Sequence, residues 1–389
     1  MTSLSIIILI TAGLIVYGLL EYAQHQQHLK SIPIRIHING TRGKSSVTRL
    51  IGAGLRAGGY NTITKVTGTF PRMILSDGTE VAIHRKEKAN ILEQLNIVKY
   101  CAQRRADVLL IECMALNPIY QRITEQQMIK ATHGVITNIR LDHLDVMGPR
   151  LENVAEALAL TVPKKTKLFT AEDRMLPFLE KRAKKNQTEF IASQGSQVSK
   201  EEMLGFTYFE HPENVALALA ICADLGVDRE KALKAMKKTI PDEGALRKHT
   251  IRPNGNPIHF YNALAANDPE SSVMLWNSIQ QMEGTDKQYV VLINARKDRK
   301  ERSEQLVHAA AELHFDHLFL TGENVELVKA MAVKYNIPVE KTLLIGQQAP
   351  EQQVADMLPK IEKESVIVAF GNMGAGGAEL SKHFENNHN

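Results

Sequence analysis

Cysteine is scarce in this chain: Cys101, Cys113 and Cys222 are the only three in 389 residues. None is spaced C-x-x-C, which excludes a disulfide framework and a structural zinc site. The three read as buried thiols of a reducing compartment. Aromatic residues amount to 5% with a single tryptophan, and the net charge is only +4. So small a charge, with no basic stripe interleaved with aromatics, excludes nucleic acid as a partner. No internal repeat and no long low-complexity stretch is present. What remains is ordinary soluble composition, 44% hydrophobic and 23% charged, in a chain long enough for two domains with substantial cores.

The N-terminus departs from that average. Leu4 to Leu20 is an almost unbroken apolar run, with Ser5 and Thr11 as mild insertions. Its length lies near the ~17–25 residues that cross a bilayer, and Tyr17 and Tyr22 suit the interface. A cleaved signal peptide is disfavoured, because no basic residue precedes the run and no A-x-A site follows it. A buried core helix is disfavoured too, because the run is terminal and has no polar face. His25, His28, Lys30 and Arg35 follow it and place the body of the chain on the cytoplasmic side. The expectation is a single-pass cell-membrane anchor over residues 1–30.

Beyond the anchor, strand-like runs alternate with helical periodicity, the mark of an α/β protein with mainly parallel sheets. Strands are expected at Pro33–Ile38, Val108–Glu112, Gly134–Ile139, Lys167–Thr170 and Glu189–Ala192. Helices are expected at Ile91–Arg104, Leu151–Leu160, Arg174–Lys185 and Glu213–Leu225. Pro241-Asp242-Glu243-Gly244 breaks the pattern, giving a boundary between domains at 31–240 and 241–389. After it come five more strands with helices between them, which read as a small doubly wound, Rossmann-like domain. Gly371-Asn372-Met373-Gly374-Ala375-Gly376-Gly377 follows the last strand but does not spell G-x-G-x-x-G, so it reads as a tight turn or a loop over substrate.

The stretch with most chemistry is Asn39-Gly40-Thr41-Arg42-Gly43-Lys44-Ser45-Ser46. It lies between the first strand and a helix whose apolar face is Val47, Leu50, Ile51 and Leu55. A strand, a glycine turn and a helix N-terminus make an anion cradle, because free amides and the helix dipole both favour a phosphate. Lys44 would reach the β- and γ-phosphates and Ser45 would sit on Mg²⁺. The loop departs from strict G-x-x-x-x-G-K-[ST] at Ile38, where glycine would stand. Open α/β sheets bind ligands beyond the carboxyl ends of their strands. Glu112 ends an apolar strand there, as a metal carboxylate or a surface glutamate. Asn138 and the run Asp142-His143-Leu144-Asp145 follow another strand. Asp145-Val146-Met147-Gly148 also spells the D-x-x-G of a GTPase switch, but no N-K-x-D partner is present.

Taken in order, these segments resemble the ATP-dependent Mur ligase and folylpolyglutamate synthetase superfamily. Three further elements agree. His211-Pro212-Glu213-Asn214 resembles its adenine-binding helix, and Gly244-Ala245-Leu246-Arg247 resembles the glycine–arginine element opening its C-terminal domain. Ala265-Ala266-Asn267-Asp268 resembles its loop facing the nucleotide ribose and phosphates. Glu112-Cys113-Met114-Ala115-Leu116-Asn117-Pro118 and Asp142-His143-Leu144-Asp145-Val146-Met147-Gly148-Pro149, with the anchor, are similar to one branch, the ligase subunits of bacterial capsular poly-γ-glutamate synthases. Mur ligases carry an N-terminal domain for a UDP-sugar, and the short linker after the anchor leaves no room for one. Leu158 stands near the place of the carbamylated lysine that helps bind a second Mg²⁺ in much of the superfamily.

The resemblance implies ATP and Mg²⁺ as cofactors and an amide ligase working through an acyl phosphate, with glutamate and a growing poly-γ-glutamate chain as substrates. Gly40, Thr41, Arg42, Gly43, Lys44, Ser45, Ser46, Asn138, Asn214, Asn267 and Asp268 would bind the nucleotide. Ser45, Thr67, Glu112 and His143 would organise the metal, Thr69 is a further hydroxyl, and Lys44, His143 and Arg247 would act on the phosphoryl group. Arg72, Arg85, Lys86, Arg140 and the run Arg296–Arg302 are cations available to an acidic substrate, the last cluster being the best placed. The resemblance also implies multi-span membrane subunits as partners and is compatible with a homo-oligomer. The glycine loop and the anchor fit equally well a membrane-tethered ATPase that energises a partner exporter without ligating.

Overall fold

The computed structural model describes residues 3–67, 71–85, 89–206, 208, 210–241, 246, 248–253, 255–264 and 269–387. Residue contacts divide it into two compact units, with the division falling between the last helix of an eight-stranded sheet and the first strand of a six-stranded one.

The first unit begins with helix α1 (Ser3–Lys30), followed by β1 (Ile34–Asn39), α2 (Lys44–Ala57), β2 (Thr62–Val66), β3 (Arg72–Ile74), β4 (Glu80–Ala82) and α3 (Glu93–Gln103). It continues through β5 (Val108–Glu112), α4 (Pro118–Ile123), a π-turn at Thr124–Ile129, β6 (His133–Ile136), α5 (Leu144–Met147), α6 (Leu151–Leu158) and β7 (Lys167–Thr170). It closes with α7 (Leu176–Lys185), β8 (Glu189–Ala192), α8 (Lys200–Met203), α9 (Pro212–Asp224) and α10 (Arg229–Met236). The strand order is β4-β3-β2-β5-β1-β6-β7-β8. All neighbours are parallel except β3 with β2 and β4 with β3.

Helix α2 forms where the sequence pattern puts it. Val47, Leu50, Ile51 and Leu55 are fully buried in a core shared with Val215, Leu217 and Leu219 of α9 and Met236 of α10. Burial of such side chains contributes roughly 1.5–3 kcal/mol each, so the helix behind the glycine loop is held firmly.

The N-terminal helix is longer than its apolar run. From Leu4 to Leu20 every large apolar side chain is exposed, and no part of its apolar window is buried. The last two turns, by contrast, dock on the first unit. Leu29 and Ile32 enter a core with Ile97, Val98, Met128 and Ile129. His25 Nε2 lies 2.9 Å from the Met128 carbonyl, and Lys130 Nζ donates to Gln26 at 2.6 Å. Arg35 donates to the carbonyls of Leu29, Ile32, Ile129 and Lys130, tying the end of α1 to the π-turn.

The second unit comprises β9 (Lys248–Ile251), β10 (Ile258–Asn262), α11 (Pro269–Glu283), β11 (Gln288–Ala295), α12 (Lys300–Ala311), β12 (His317–Gly322), α13 (Val325–Lys334), β13 (Thr342–Gly346), α14 (Pro350–Met357), β14 (Ser365–Gly371) and α15 (Gly377–Asn386). The order is β13-β12-β11-β14-β10-β9. The five strands expected from the sequence are present and parallel, and a sixth, β9, joins antiparallel to β10. The first sheet likewise exceeds its expected five strands by β2, β3 and β4. The strand expected over Gly134–Ile139 ends at Ile136, because Thr137 and Asn138 leave the ladder to hold the glycine loop. Cys101, Cys113 and Cys222 are buried and free.

Candidate active site

Strand β1 lies between β5 and β6, so the loop leaving it at Asn39 is flanked by the ends of both neighbours. On the β6 side the loop is pinned by hydrogen bonds. Thr41 N donates to the Asn138 carbonyl at 2.9 Å, and Arg42 N to Asn138 Oδ1 at 3.0 Å. Asn138 Nδ2 and Thr137 Oγ1 both donate to the Arg42 carbonyl, at 3.1 and 2.6 Å. Gly40 has φ +132°, and a Cβ there would stand 2.1 Å from Thr137 Oγ1. Gly43 has φ +76°, and its Cβ would stand 2.8 Å from Asn214 Oδ1. Both positions therefore need glycine, for conformation and for space.

Gly43 is also the N-cap of α2, with no side chain capping the first turn. Lys44 lies across the loop, its Nζ donating to the carbonyls of Gly40 and Thr41 at 2.7 and 2.9 Å. Burial pushes its ammonium pKa down, and the Glu112 carboxylate opposes that shift.

On the β5 side, Ile38 is in register with Glu112, which brings that carboxylate level with the loop. Glu112 is 3% exposed. It accepts hydrogen bonds from Ser45 Oγ at 2.9 and 3.1 Å and from Thr67 N at 2.6 Å. The structure thus brings Ser45, Glu112 and Thr67 together, Thr67 through its backbone amide. A buried carboxylate beside a hydroxyl is a hard-oxygen donor set suited to a divalent cation of the Mg²⁺ or Mn²⁺ kind.

His143 is not part of that convergence. It caps the short helix α5 at φ +48°, is 43% exposed, and stands 3.7 Å from Asp142 Oδ2. Asp142 in turn pairs with Arg42 of the loop at 3.4 Å. Among the described residues no three His, Cys, Asp or Glu side chains gather as a metal cluster. Leu158 is 1% exposed in an apolar core with Val154 and Leu168. Arg247, Asn267, Asp268 and Thr69 lie outside the described residues.

Asn214 and Ser46 are joined by a residue that sequence reasoning missed. Glu210, 6% exposed, accepts from Ser46 Oγ and from Asn214 Nδ2, the latter at 2.8 Å. This orients the Asn214 amide, with its oxygen towards Gly43. The available signal was an acidic residue directly before His211-Pro212, at the start of α9. Thr137 and the buried pair His37–Glu125 under β1, 2.8 Å apart, were missed as well. In the second unit, Arg296, Lys297 and Lys300 line a small cleft at the ends of β11 and β12 together with Glu323 and Asn324.

Two family descriptions match the chain, the Mur ligase middle domain over residues 38–221 and the poly-gamma-glutamate synthase CapB C-terminal domain over residues 248–387. The capsule biosynthesis protein CapB of Bacillus anthracis is 37% identical over 376 residues, spanning 95% of this chain and 80% of that protein. The chain belongs to the CapB family. The PGA synthase CapB of Bacillus subtilis (strain 168) is 34% identical over 377 residues, 96% of this chain and 95% of its own length. The fold extends to a bifunctional folylpolyglutamate synthase/dihydrofolate synthase solved with Mn, AMPPNP and L-glutamate bound. That protein has a TM-score of 0.70 at 14% identity and covers 93% of this chain and 92% of its own. The expected architecture, a Mur-ligase-type α/β chain with an apolar N-terminal helix, is therefore that of this CapB-family member.

Proposed function

We propose that this protein is an ATP-dependent amide ligase that extends poly-γ-glutamate, anchored in the cell membrane by residues 1–30. The ATP-binding domain is 31–240 and the C-terminal domain 241–389. The observation that carries the proposal is the meeting of Ser45 and Glu112 at the mouth of a glycine loop in a CapB-family chain.

The amides from Gly43 to Ser46 at the N-terminus of α2 receive the nucleotide phosphates, and Gly40, Thr41 and Arg42, whose own amides are paired with Asn39 and Asn138, shape the loop around them. Lys44, held at the loop by two carbonyls, exchanges those contacts for β- and γ-oxygens. Asn138 holds the loop in shape, and Asn214, oriented by Glu210, closes the side against Gly43. Ser45 Oγ and a Glu112 oxygen would hold Mg²⁺, with Thr67 beside them and His143 linked to the loop through Asp142 and Arg42. When bound, the cation supplies charge neutralisation on the phosphates. Arg247, Asn267 and Asp268 serve the same nucleotide, on the strength of the resemblance.

A carboxylate oxygen of the acceptor bonds to the γ-phosphorus, and the bond from that phosphorus to the β,γ-bridging oxygen breaks, leaving ADP. The amine of a glutamate then bonds to the acyl carbon, loses a proton, and inorganic phosphate departs. Positioning and electrostatics carry most of such a transfer. The apolar helix Ser3–Lys30 is long enough to span a bilayer. The basic residues after it put the catalytic body in the cytoplasm, and multi-span subunits supply the export path that one helix cannot build.

The test is hydroxylamine trapping in membranes given ATP, Mg²⁺ and glutamate. A glutamate-dependent hydroxamate is expected, and Lys44→Ala abolishes it. ATP turnover indifferent to glutamate, with no hydroxamate, would replace the ligase with a membrane-tethered ATPase serving an exporter.

A further inference from the structure

Strand β1 lies inside the first sheet, between β5 and β6, and its two faces differ in kind. Ile36 and Ile38 enter the apolar core shared with α2. The alternate positions Arg35, His37 and Asn39 are polar, and each is bonded to residues 121–130, the end of α4 and the π-turn. Asn39 Nδ2 donates to Gln121 Oε1 at 2.8 Å and to Thr161 Oγ1 at 3.1 Å. His37 Nδ1 lies 2.8 Å from Glu125 Oε2. Arg35 donates to the carbonyls of Ile129 and Lys130, at 3.1 and 2.9 Å. His37, Asn39, Gln121 and Glu125 are all buried.

An apolar stripe would hold α4 against β1 as firmly, because buried polar pairs gain little over well-packed hydrophobic side chains. It would not fix α4 along its own axis. Apolar contact is non-directional, whereas a hydrogen bond confines donor and acceptor to a narrow distance and angle. The stripe therefore transmits position, and both of its ends are in use. At one end Asn39 Oδ1 accepts from Gly40 N at 2.9 Å, setting the entry to the glycine loop. At the other the π-turn grips the foot of α1: Arg35 also donates to the Leu29 and Ile32 carbonyls, His25 meets the Met128 carbonyl, and Lys130 reaches Gln26. Between the ends Glu125 closes the π-turn. Its Oε1 accepts from Ala131 N at 3.0 Å and its carbonyl from Lys130 N at 2.8 Å. Such turns are rare and recur at functional sites.

Resting on the nucleotide site described above, we propose that Gln121 is a positioning residue for the glycine loop, and that through it and the π-turn the seating of α1 tightens nucleotide binding. Gln121 acts on the Gly40 amide through Asn39, and the π-turn holds Gln121 at the right height on β1 through Glu125, His37 and Arg35. A chain whose anchor is seated against Met128 and Lys130 holds the nucleotide, and one whose anchor is loosened holds it less well. ATP is then consumed where the anchor is in place. By linkage the effect is reciprocal: nucleotide at the loop tightens the foot of α1 by the same factor.

The experiment uses the full chain in nanodiscs and a fluorescent, non-hydrolysable ATP analogue with Mg²⁺. R35A and Q121L are each expected to weaken its binding about tenfold. Because both cut one route, R35A/Q121L should bind within about twofold of the weaker single variant. In the unsubstituted protein the analogue should slow amide hydrogen exchange at residues 25–32 and 124–131 at least about threefold. Exchange in α7, whose Leu179 packs in a separate core with Leu168, should not change. Unaltered affinity in R35A, or single effects that multiply in the double variant, overturns the proposal. So does protection that extends equally to α7, which would mark stabilisation of the whole unit. The exchange measurement needs no substitution and decides the matter even where Q121L fails to fold. If the analogue does not bind the unsubstituted chain at all, the nucleotide site itself fails, whereas binding without protection of the foot sinks the link to α1 alone.

Discussion

Replacing Gly40 with alanine tests the glycine loop most directly. The new Cβ would stand 2.1 Å from Thr137 Oγ1 and 2.9 Å from Thr137 N, at a residue whose φ is +132°. Rotating Thr137 relieves the first clash but breaks its bond to the Arg42 carbonyl, at about 1 kcal/mol. The backbone nitrogen cannot rotate away, so the loop must shift. A non-glycine residue held at such a φ costs about 1–3 kcal/mol, and overpacking adds about 1–3 kcal/mol. The sum is about 3–7 kcal/mol, felt in a unit where each kcal/mol moves Tm by roughly 2–4 °C. Calorimetry should therefore show the transition of the first unit falling by about 6 °C or more, and a fluorescent ATP analogue should lose measurable affinity. Because Thr137 takes part in the clash, T137A alone should cost about 1 kcal/mol, and G40A/T137A should be less destabilised than the two single changes added together. Strict additivity, or a G40A protein with unchanged Tm and nucleotide affinity, would refute the packing of Gly40 against Thr137.

Two further outcomes follow from groups behind the site. Burial pushes the His37 imidazole down, but its contacts with Cys113 and Glu125 outweigh that and raise its pKa to about 9. The stabilisation is complete below the unfolded value near 6.5 and is lost as pH climbs through 9, at about 3 kcal/mol in all. Urea unfolding at pH 6.5 and 9 should show that slope in the natural protein and not in H37Q, and equal slopes would sink the assignment. Arg35→Ala removes the donor that ties Leu29 and Ile32 to the π-turn, loosening the foot of α1 by about 3 kcal/mol. Limited proteolysis should then cut between residues 25 and 32 about a hundredfold faster, and an unchanged rate would show that the helix is held by its apolar contacts alone.

The amino-acid sequence determined whatever is local. The period of Val47, Leu50, Ile51 and Leu55 specifies α2 and its buried face, and the glycines and Lys44 around its start mark an anion cradle. The almost unbroken run Leu4–Leu20 specifies an apolar helix, and five strands in each half were readable from their apolar or alternating runs. Short antiparallel pieces escaped, because three or four residues in β3, β4 and β9 carry too few alternations to stand out from a turn. Tertiary structure alone decided which distant groups meet. Glu210 joins Ser46 across 164 positions in the chain, Glu125 joins His37 across 88, and Glu93 gathers Lys65 and Arg85 from two separate segments. No period or spacing encodes such encounters, because a carboxylate reads the same whether it faces water or a buried cation. The sheet order β2-β5-β1-β6 sets them: it puts Glu112 on one side of the loop and Asn138 on the other, and makes a site of residues that a reader of the chain meets about 100 positions apart.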